Sequence, residues 1–210
     1  MEHGVSESIA RNPFHPGTSS GHGERKQALR RALSQARRHA QSQPAANDAL
    51  DARLRLLLDH LAPRTVGFYW PLPGEFDARA AVLAWCAAQA GRQAALPVIR
   101  EQRTPLEFHA WDAHTPMREG HHRIPEPASG VAVVPDLLLI PCVGFDSRLY
   151  RLGYGGGYYD RTLAAWPGDA PPVTVGIAYA ACRVDALPTE EHDHAMQWVV
   201  TEEETYPARP

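Results

Sequence analysis

Cysteine, excess positive charge and long apolar runs are all scarce in this chain of 210 residues. Its three cysteines, Cys86, Cys142 and Cys182, are odd in number, lie far apart and form no CxxC pair. This pattern excludes a disulfide framework and predicts reduced thiols in a cytoplasmic protein. A formal charge of −3 excludes a global basic field for nucleic acid. No apolar run approaches the ~20 residues of a membrane span, and no apolar signal segment is visible near the N-terminus.

The composition is that of a folded globular domain. Hydrophobic residues make up 44% of the chain and charged residues 21%, and its length suits a single domain with a full core. Residues 1–23 are rich in Gly, Ser, Pro and His and show no apolar period, so we expect a disordered N-terminal tail. Residues 24–210 are predicted to form the single domain.

Helical and strand patterns alternate along this domain. Apolar residues at helical spacing predict helices over residues 24–41, 46–61, 78–90 and 158–166. Short β-branched, aromatic or continuous apolar runs predict strands over residues 65–70, 94–99, 106–111, 136–141, 173–178 and 198–201. The polar, Pro-rich segment 112–130 is expected to be a long loop. The alternation predicts an α/β fold with a mainly parallel central sheet flanked by helices.

The segment from Pro141 to Asp160 joins a predicted buried strand to a predicted helix, the position at which open parallel sheets bind ligands. Glycines at 153, 155, 156 and 157 lack a Cβ and let backbone N–H groups approach a ligand, and the helix start adds further free N–H groups. Arg151 offers a two-pronged donor for phosphate oxygens, and Asp160 offers a hard carboxylate for Mg²⁺. Together they predict a nucleoside triphosphate site, although the spacing matches neither a P-loop nor a GxGxxG motif.

Three motifs carry a resemblance to a known family. The sequence Arg151-Leu-Gly-Tyr-Gly-Gly-Gly-Tyr-Tyr-Asp160, preceded by Pro141-x-x-Gly-Phe-Asp146, closely resembles the signature of 5-formyltetrahydrofolate cyclo-ligase, also called 5,10-methenyltetrahydrofolate synthetase. Lys26-x-x-x-Arg30 and Tyr69-Trp-Pro-Leu-Pro-Gly-Glu75 match the family in the same order. The resemblance extends from about residue 25 to residue 202. It implies a single domain of Rossmann-like layered architecture, similar to the isomerase and CoA-transferase folds.

The resemblance implies an enzyme that uses ATP and Mg²⁺. ATP would phosphorylate the formyl oxygen of 5-formyltetrahydrofolate, and N10 of the same folate would then attack and displace phosphate. The products would be 5,10-methenyltetrahydrofolate, ADP and phosphate. We therefore expect small-molecule partners, no nucleic acid or membrane partner, and a monomer. The residues alone leave open another ATP-using enzyme on this fold, a non-catalytic folate or nucleotide binder, and an RNA-binding module, the last disfavoured by the acidic balance.

The resemblance also assigns site residues. Lys26, Arg30 and Arg151 are expected to act in catalysis by holding the phosphates, and Asp160 is the expected metal ligand. The residues expected to bind ATP are Lys26, Arg30, Arg151, Leu152, Gly153, Tyr154, Gly155, Gly156, Gly157, Tyr158 and Tyr159. Those expected to bind the folate substrate are Trp70, Glu75, Tyr154 and Tyr158. The remaining cations of the first helix, Arg31, Arg37 and Arg38, are expected to form a solvated face.

One position departs from the family pattern. Gln197 stands in the segment His192–Trp198, where members of the family often carry an Asp that helps to place Mg²⁺. A neutral amide is a weaker metal ligand than a carboxylate. Either Mg²⁺ relies on Asp160 with phosphate oxygens and water, or Asp193 compensates for the missing carboxylate.

Overall fold

A computed structural model of the chain describes residues 19–208, with side chains from residue 23 onward. Its helices are α1 (Ser19–Gln41), α2 (Pro44–Leu61), α3 (Arg79–Ala88) and α4 (Tyr158–Ala164). Its strands are β1 (Thr65–Gly67), β2 (Gln93–Val98), β3 (Glu107–Trp111), β4 (Met117–Glu119), β5 (Pro125–Pro127), β6 (Ala132–Val133), β7 (Leu137–Pro141), β8 (Gly144–Asp146), β9 (Arg151–Leu152), β10 (Val173–Ile177), β11 (Arg183–Val184), β12 (Trp198–Val200) and β13 (Thr205–Pro207).

The largest sheet contains eight strands in the order β13-β12-β10-β7-β1-β2-β3-β6. Its five central strands, from β12 to β2, are parallel, and β13, β3 and β6 pair antiparallel at the edges. The central strand β7 is buried on both faces, as the continuous apolar run Leu137–Ile140 requires. The predicted α/β fold with a mainly parallel central sheet is therefore confirmed.

Helices cover both faces of this sheet. Leu137 and Leu139 point to one face and pack with α2 and α3, for example with Leu54 and Trp85. Leu138 and Ile140 point to the other face and pack in a second cluster, against which Leu163 of α4 lies. Alternate residues of one strand thus join two cores, which is the expected consequence of the two-residue period of a strand.

The chain order of the sheet reverses between β1 and β7. From β1 the chain passes through α3 to β2 on one side, and from β7 it passes through α4 to β10 on the other side. Crevices that bind ligands in open α/β sheets lie at the carboxyl ends of the strands at such a reversal. The segments that leave β1 and β7 here are 68–78 and 142–157. The first contains the motif Tyr69–Glu75, and the second contains most of the signature that ends at Asp160 in α4.

Some boundaries differ from those predicted. Segment 112–130 is not one long loop, because β4 and β5 pair antiparallel within it. The tail predicted over residues 1–23 lies mostly outside the described residues, and its last five residues, 19–23, belong to α1. The single domain over residues 24–210 stays a prediction. Among the residues that the structure describes, no helix is both long and apolar enough to cross a bilayer.

Candidate active site

One face of α1 borders the crevice between β1 and β7. Lys26, Arg30, Leu33 and Arg37 recur at helical spacing, and Leu33 and Arg37 are buried, with exposed fractions of 8% and 3%. Arg31 and Arg38 are exposed, as expected of a solvated face. The same expectation is wrong for Arg37, because it shares a face with Leu33 rather than with Arg31 and Arg38.

The glycine segment, residues 153–157, lies against this face of α1. Arg30 Nε donates a hydrogen bond of 2.8 Å to the carbonyl oxygen of Gly153. Gly155 has a φ of +97°, and a Cβ there would lie 3.3 Å from the Arg30 guanidinium. Gly157 has a φ of +63° and precedes α4 directly. Both glycines adopt a left-handed conformation that other residues rarely take. The backbone of this turn therefore favours glycine at positions 155 and 157.

Arg151 and Asp160 form a largely buried ion pair at the end of the glycine segment. Arg151 Nη2 lies 2.6 Å from Asp160 Oδ1, and the two side chains are 6% and 18% exposed. Arg151 Nη1 also donates to the carbonyl oxygen of His194 at 3.1 Å. The predicted phosphate cation and the predicted metal carboxylate therefore lie together, and each orients the other.

Lys26 contacts the segment that precedes β12. Its Nζ lies 2.9 Å from Asp193 Oδ2 and 3.6 Å from Glu190 Oε2, and its side chain is 13% exposed. Burial alone would raise the pKa of Asp193. The hydrogen bond and charge of Lys26, the Glu190 backbone N–H and the nearby His192 together outweigh burial and lower that pKa. Lys26 and Arg151 each bond to one residue of the pair Asp193 and His194, so segment 190–194 closes this side of the site.

Glu75 lies on the other side of the crevice and is buried, with 5% of its surface exposed. Its Oε2 accepts from the Leu72 backbone N–H at 2.7 Å, and its Oε1 accepts from the Tyr154 hydroxyl at 2.9 Å. Arg37 Nη1 lies 3.7 Å from the same Oε1. Burial raises the pKa of Glu75, and these three groups oppose that shift. The predicted folate residue and the glycine segment are thus joined through Tyr154.

The predicted aromatic residues occupy different environments. Trp70 packs partly against the core, and the Arg79 guanidinium lies 4.4 Å from its ring centroid. Tyr159, the second residue of α4, packs on the core, and burial raises its pKa. The Tyr158 hydroxyl lies 3.1 Å from His122 Nε2, in the turn between β4 and β5. No sequence pattern connects His122 with this site, because His122 and Tyr158 are 36 positions apart along the chain.

The donor set for a metal ion is small. No group of three or more His, Cys, Asp or Glu side chains is placed to hold an ion in the part of the chain that the structure describes. Gln197 Oε1 accepts from the Thr174 backbone N–H at 3.1 Å, so its coordinating atom is engaged. Asp193 Oδ2 is engaged by Lys26. Asp160 is the first carboxylate after the glycine segment, and its Oδ1 is engaged by Arg151.

Comparisons with known proteins identify the family of the chain. The family model of the 5-formyltetrahydrofolate cyclo-ligase family matches residues 22–202. A 5-formyltetrahydrofolate cyclo-ligase of Haemophilus influenzae is 31% identical over 79% of this chain and 87% of that protein. The enzyme of that name from Escherichia coli K12 is 32% identical over 82% of this chain and 93% of that protein.

A solved structure supports the same family. The NMR structure of 5,10-methenyltetrahydrofolate synthetase from Aquifex aeolicus matches with a TM-score of 0.73 and 25% identity. The match covers 88% of this chain and 93% of that one. The residues that the family model matches include most of α1, the segment after β1 and the glycine segment, which together border the crevice. The chain therefore belongs to the 5-formyltetrahydrofolate cyclo-ligase family.

Proposed function

We propose that this chain converts 5-formyltetrahydrofolate and ATP to 5,10-methenyltetrahydrofolate, ADP and phosphate. The observation that carries the proposal is the position of Glu75 and the glycine segment on opposite sides of one crevice, joined by the hydrogen bond from Tyr154. A carboxylate suits the N–H-rich edge of a pterin, and cations beside glycine N–H groups suit phosphates. The two substrates would therefore meet between β1 and β7.

The reaction needs positioning more than covalent help from the protein. The formyl oxygen attacks the γ-phosphorus of ATP, and ADP leaves. N10 then attacks the formyl carbon and releases its proton, and the former formyl oxygen departs as part of phosphate. Phosphate is a far better leaving group than an amide oxygen. Because the nucleophile belongs to the substrate, Lys26, Arg30 and Arg151 serve to hold and neutralise the phosphates.

Asp160 is the proposed ligand of Mg²⁺. Mg²⁺ at nucleotide sites is commonly held by one or two carboxylates together with phosphate oxygens and water, and one carboxylate beside the glycine segment fits that pattern. When bound, Mg²⁺ would neutralise charge on the triphosphate. Arg151 Nη2 donates to Asp160 Oδ1 at 2.6 Å and fixes the orientation of the carboxylate.

We also propose a monomer in the cytoplasm that acts on small molecules without a nucleic acid or membrane partner. The free thiols of Cys86, Cys142 and Cys182 support a reducing compartment. The inward direction of Lys26, Arg30 and Arg37 supports a small-molecule role, rather than a nucleic-acid role, for these three cations.

The direct test is formation of the methenyl chromophore from purified chain, 5-formyltetrahydrofolate, ATP and Mg²⁺. We expect the rate to fall to background when ATP is omitted or a chelator is in excess, and to return when Mg²⁺ is restored. Undiminished turnover in chelator would contradict the metal assignment. Binding of both substrates without any chromophore would contradict the enzymatic proposal.

Glu75→Gln is expected to weaken folate use specifically. The amide presents a donor where the pterin edge needs an acceptor, so KM for 5-formyltetrahydrofolate should rise about 10- to 100-fold, the range of one charged hydrogen bond. KM for ATP should change by less than about twofold, because Glu75 contacts the phosphate side only through Tyr154.

Glu126→Gln is a matched control for this variant. Glu126 is also 5% exposed, and it is also held by an arginine, Arg118 at 2.8 Å, and by a backbone N–H, that of Ile99. Its replacement should lower the melting temperature and leave both KM values unchanged. Equal folate affinity of the Glu75→Gln and unmodified proteins by calorimetry would remove Glu75 from the folate site.

A further inference from the structure

Arg37 is a buried cation to which the proposed reaction assigns no role. It lies two helical turns after Arg30 on the same face of α1 and is 3% exposed. Its Nη2 donates to the Tyr154 hydroxyl, whereas Nε and Nη1 have no hydrogen-bond partner among the described residues. A guanidinium buried to this extent is costly unless an anion lies beside it. Its position therefore requires an explanation.

The anion beside Arg37 is the Glu75 carboxylate. Arg37 Nη1 lies 3.7 Å from Glu75 Oε1, and the two side chains are 4% and 3% exposed. The Tyr154 hydroxyl accepts from Arg37 and donates to Glu75 Oε1. The Arg37 guanidinium also lies 5.2 Å from the centroid of the Tyr154 ring. These contacts tie α1, the segment after β1 and the glycine segment into one network.

The space beside this pair is too small for a substrate ring. Arg37 and Glu75 line a cavity of about 10 Å³ together with Pro141, Cys142 and Ala178 at the carboxyl ends of β7 and β10. That volume corresponds to about one water molecule, so no substrate ring fits on the Arg37 side of Glu75. Arg37 can therefore influence folate binding only through Glu75 and Tyr154.

Arg37 is the cation that opposes protonation of Glu75. The other titratable groups that face this carboxylate are Tyr69 after β1, Cys142 after β7, Tyr154 of the glycine segment and Tyr159 of α4. Burial raises the pKa of each, to about 12 for Cys142 and for Tyr154, so all four are neutral near pH 7. None of them can supply the positive charge that a buried carboxylate needs.

We propose that Arg37 is a positioning residue for folate recognition, which keeps the buried Glu75 carboxylate ionised and directed toward the crevice. The inference rests on the proposed contact between Glu75 and the folate. Arg37 adds to that contact a fixed positive charge on α1. The helix that carries the phosphate-binding residues Lys26 and Arg30 therefore also controls the ionisation of Glu75.

The test compares Arg37→Met and Arg37→Lys with Arg31→Met, an exposed control on the same helix. Arg37→Met should raise KM for 5-formyltetrahydrofolate about 10- to 100-fold and change KM for ATP by less than about twofold. Loss of the cation raises the pKa of Glu75. In the pH profile of kcat/KM for 5-formyltetrahydrofolate, the acidic limb should therefore move to higher pH. Arg37→Lys keeps the positive charge, so its acidic limb should lie near that of the unmodified protein. Arg31→Met should change none of these values.

Substitution of Arg37 in a Glu75→Gln protein shows whether Arg37 acts on folate binding through Glu75. If Arg37 acts through Glu75, Arg37→Met should raise KM for folate no further in that background and should not move the pH limb. Equal losses in both backgrounds with a fixed pH limb would overturn the inference and make Arg37 a packing residue. Where Arg37→Met does not fold, Arg37→Gln, which keeps a donor toward Tyr154, takes its place.

The two proposals fail in different ways. If Glu75→Gln weakens folate use and no Arg37 variant does so, the inference about Arg37 is wrong and the folate contact stands. If Glu75→Gln leaves KM for folate unchanged, both the contact and the inference fall. Melting temperatures of all variants separate loss of recognition from loss of the fold.

Discussion

Arg151→Ala should lower kcat/KM for ATP about 100-fold or more, because it removes one charged donor and releases the Asp160 carboxylate. KM for 5-formyltetrahydrofolate should change little, since Glu75 lies on the opposite side of the crevice. The variant should also lose stability, because Asp160 is left as a largely buried charge without its partner, a loss that costs about 3 kcal/mol or more. ATP kinetics, folate kinetics and thermal unfolding measure the three effects separately.

Arg148→Ala is the matched control for that variant. Arg148 Nη2 lies 2.8 Å from Asp146 Oδ2 in a second Arg–Asp pair, and Asp146 is fully buried. Asp146 keeps hydrogen bonds from the backbone N–H groups of Tyr150 and Leu187 when Arg148 is removed. Arg148→Ala should therefore lower stability and leave KM for ATP unchanged. An equal loss of ATP use in both variants would show that Arg151 acts only by holding the fold.

The sheet could be predicted from the sequence because its strands are short, buried and separated by helical patterns. Leu137–Ile140 is apolar at every position, and a strand with that pattern must be covered on both faces. The hairpin of β4 and β5 could not be predicted. Each of its strands has only three residues, and β5 contains Pro125 and Pro127. Proline is typical of loops and rare inside strands. Pairing across the hairpin, rather than local preference, makes these residues extended.

The site could be predicted where its residues are neighbours in sequence. The glycine segment, Arg151 and Asp160 lie within ten positions, and the structure brings them together. Arg37 could not be assigned from its neighbours, because Arg31 and Arg38 on the same helix are exposed. The spacing between Leu33 and Arg37 could have indicated that Arg37 is buried, because residues four apart on a helix share a face. Its partners Glu75 and Tyr154 are distant in sequence, so the network became visible only in the fold.

Loss of the Lys26 amine is expected to weaken the use of ATP. Lys26 is the single lysine of the chain, so an amine-reactive acylating reagent has one side-chain target besides the α-amino group. The ammonium is a compact charge with three donors, and it lies between Asp193 and Glu190 at the edge of the crevice. Lys26→Met should therefore lower kcat/KM for ATP about 10- to 100-fold.

Acylation of the unmodified protein should reproduce that loss, and ATP should protect against it while 5-formyltetrahydrofolate alone should not. Lys26→Arg supplies the control. It keeps the positive charge and removes the reactive side-chain amine, so it should retain part of the turnover and resist the reagent. Inactivation of Lys26→Arg at the rate of the unmodified protein would assign the effect to the α-amino group. Full turnover after complete acylation of Lys26 would remove this residue from the phosphate site, and Arg30 and Arg151 would then be the cations that hold ATP.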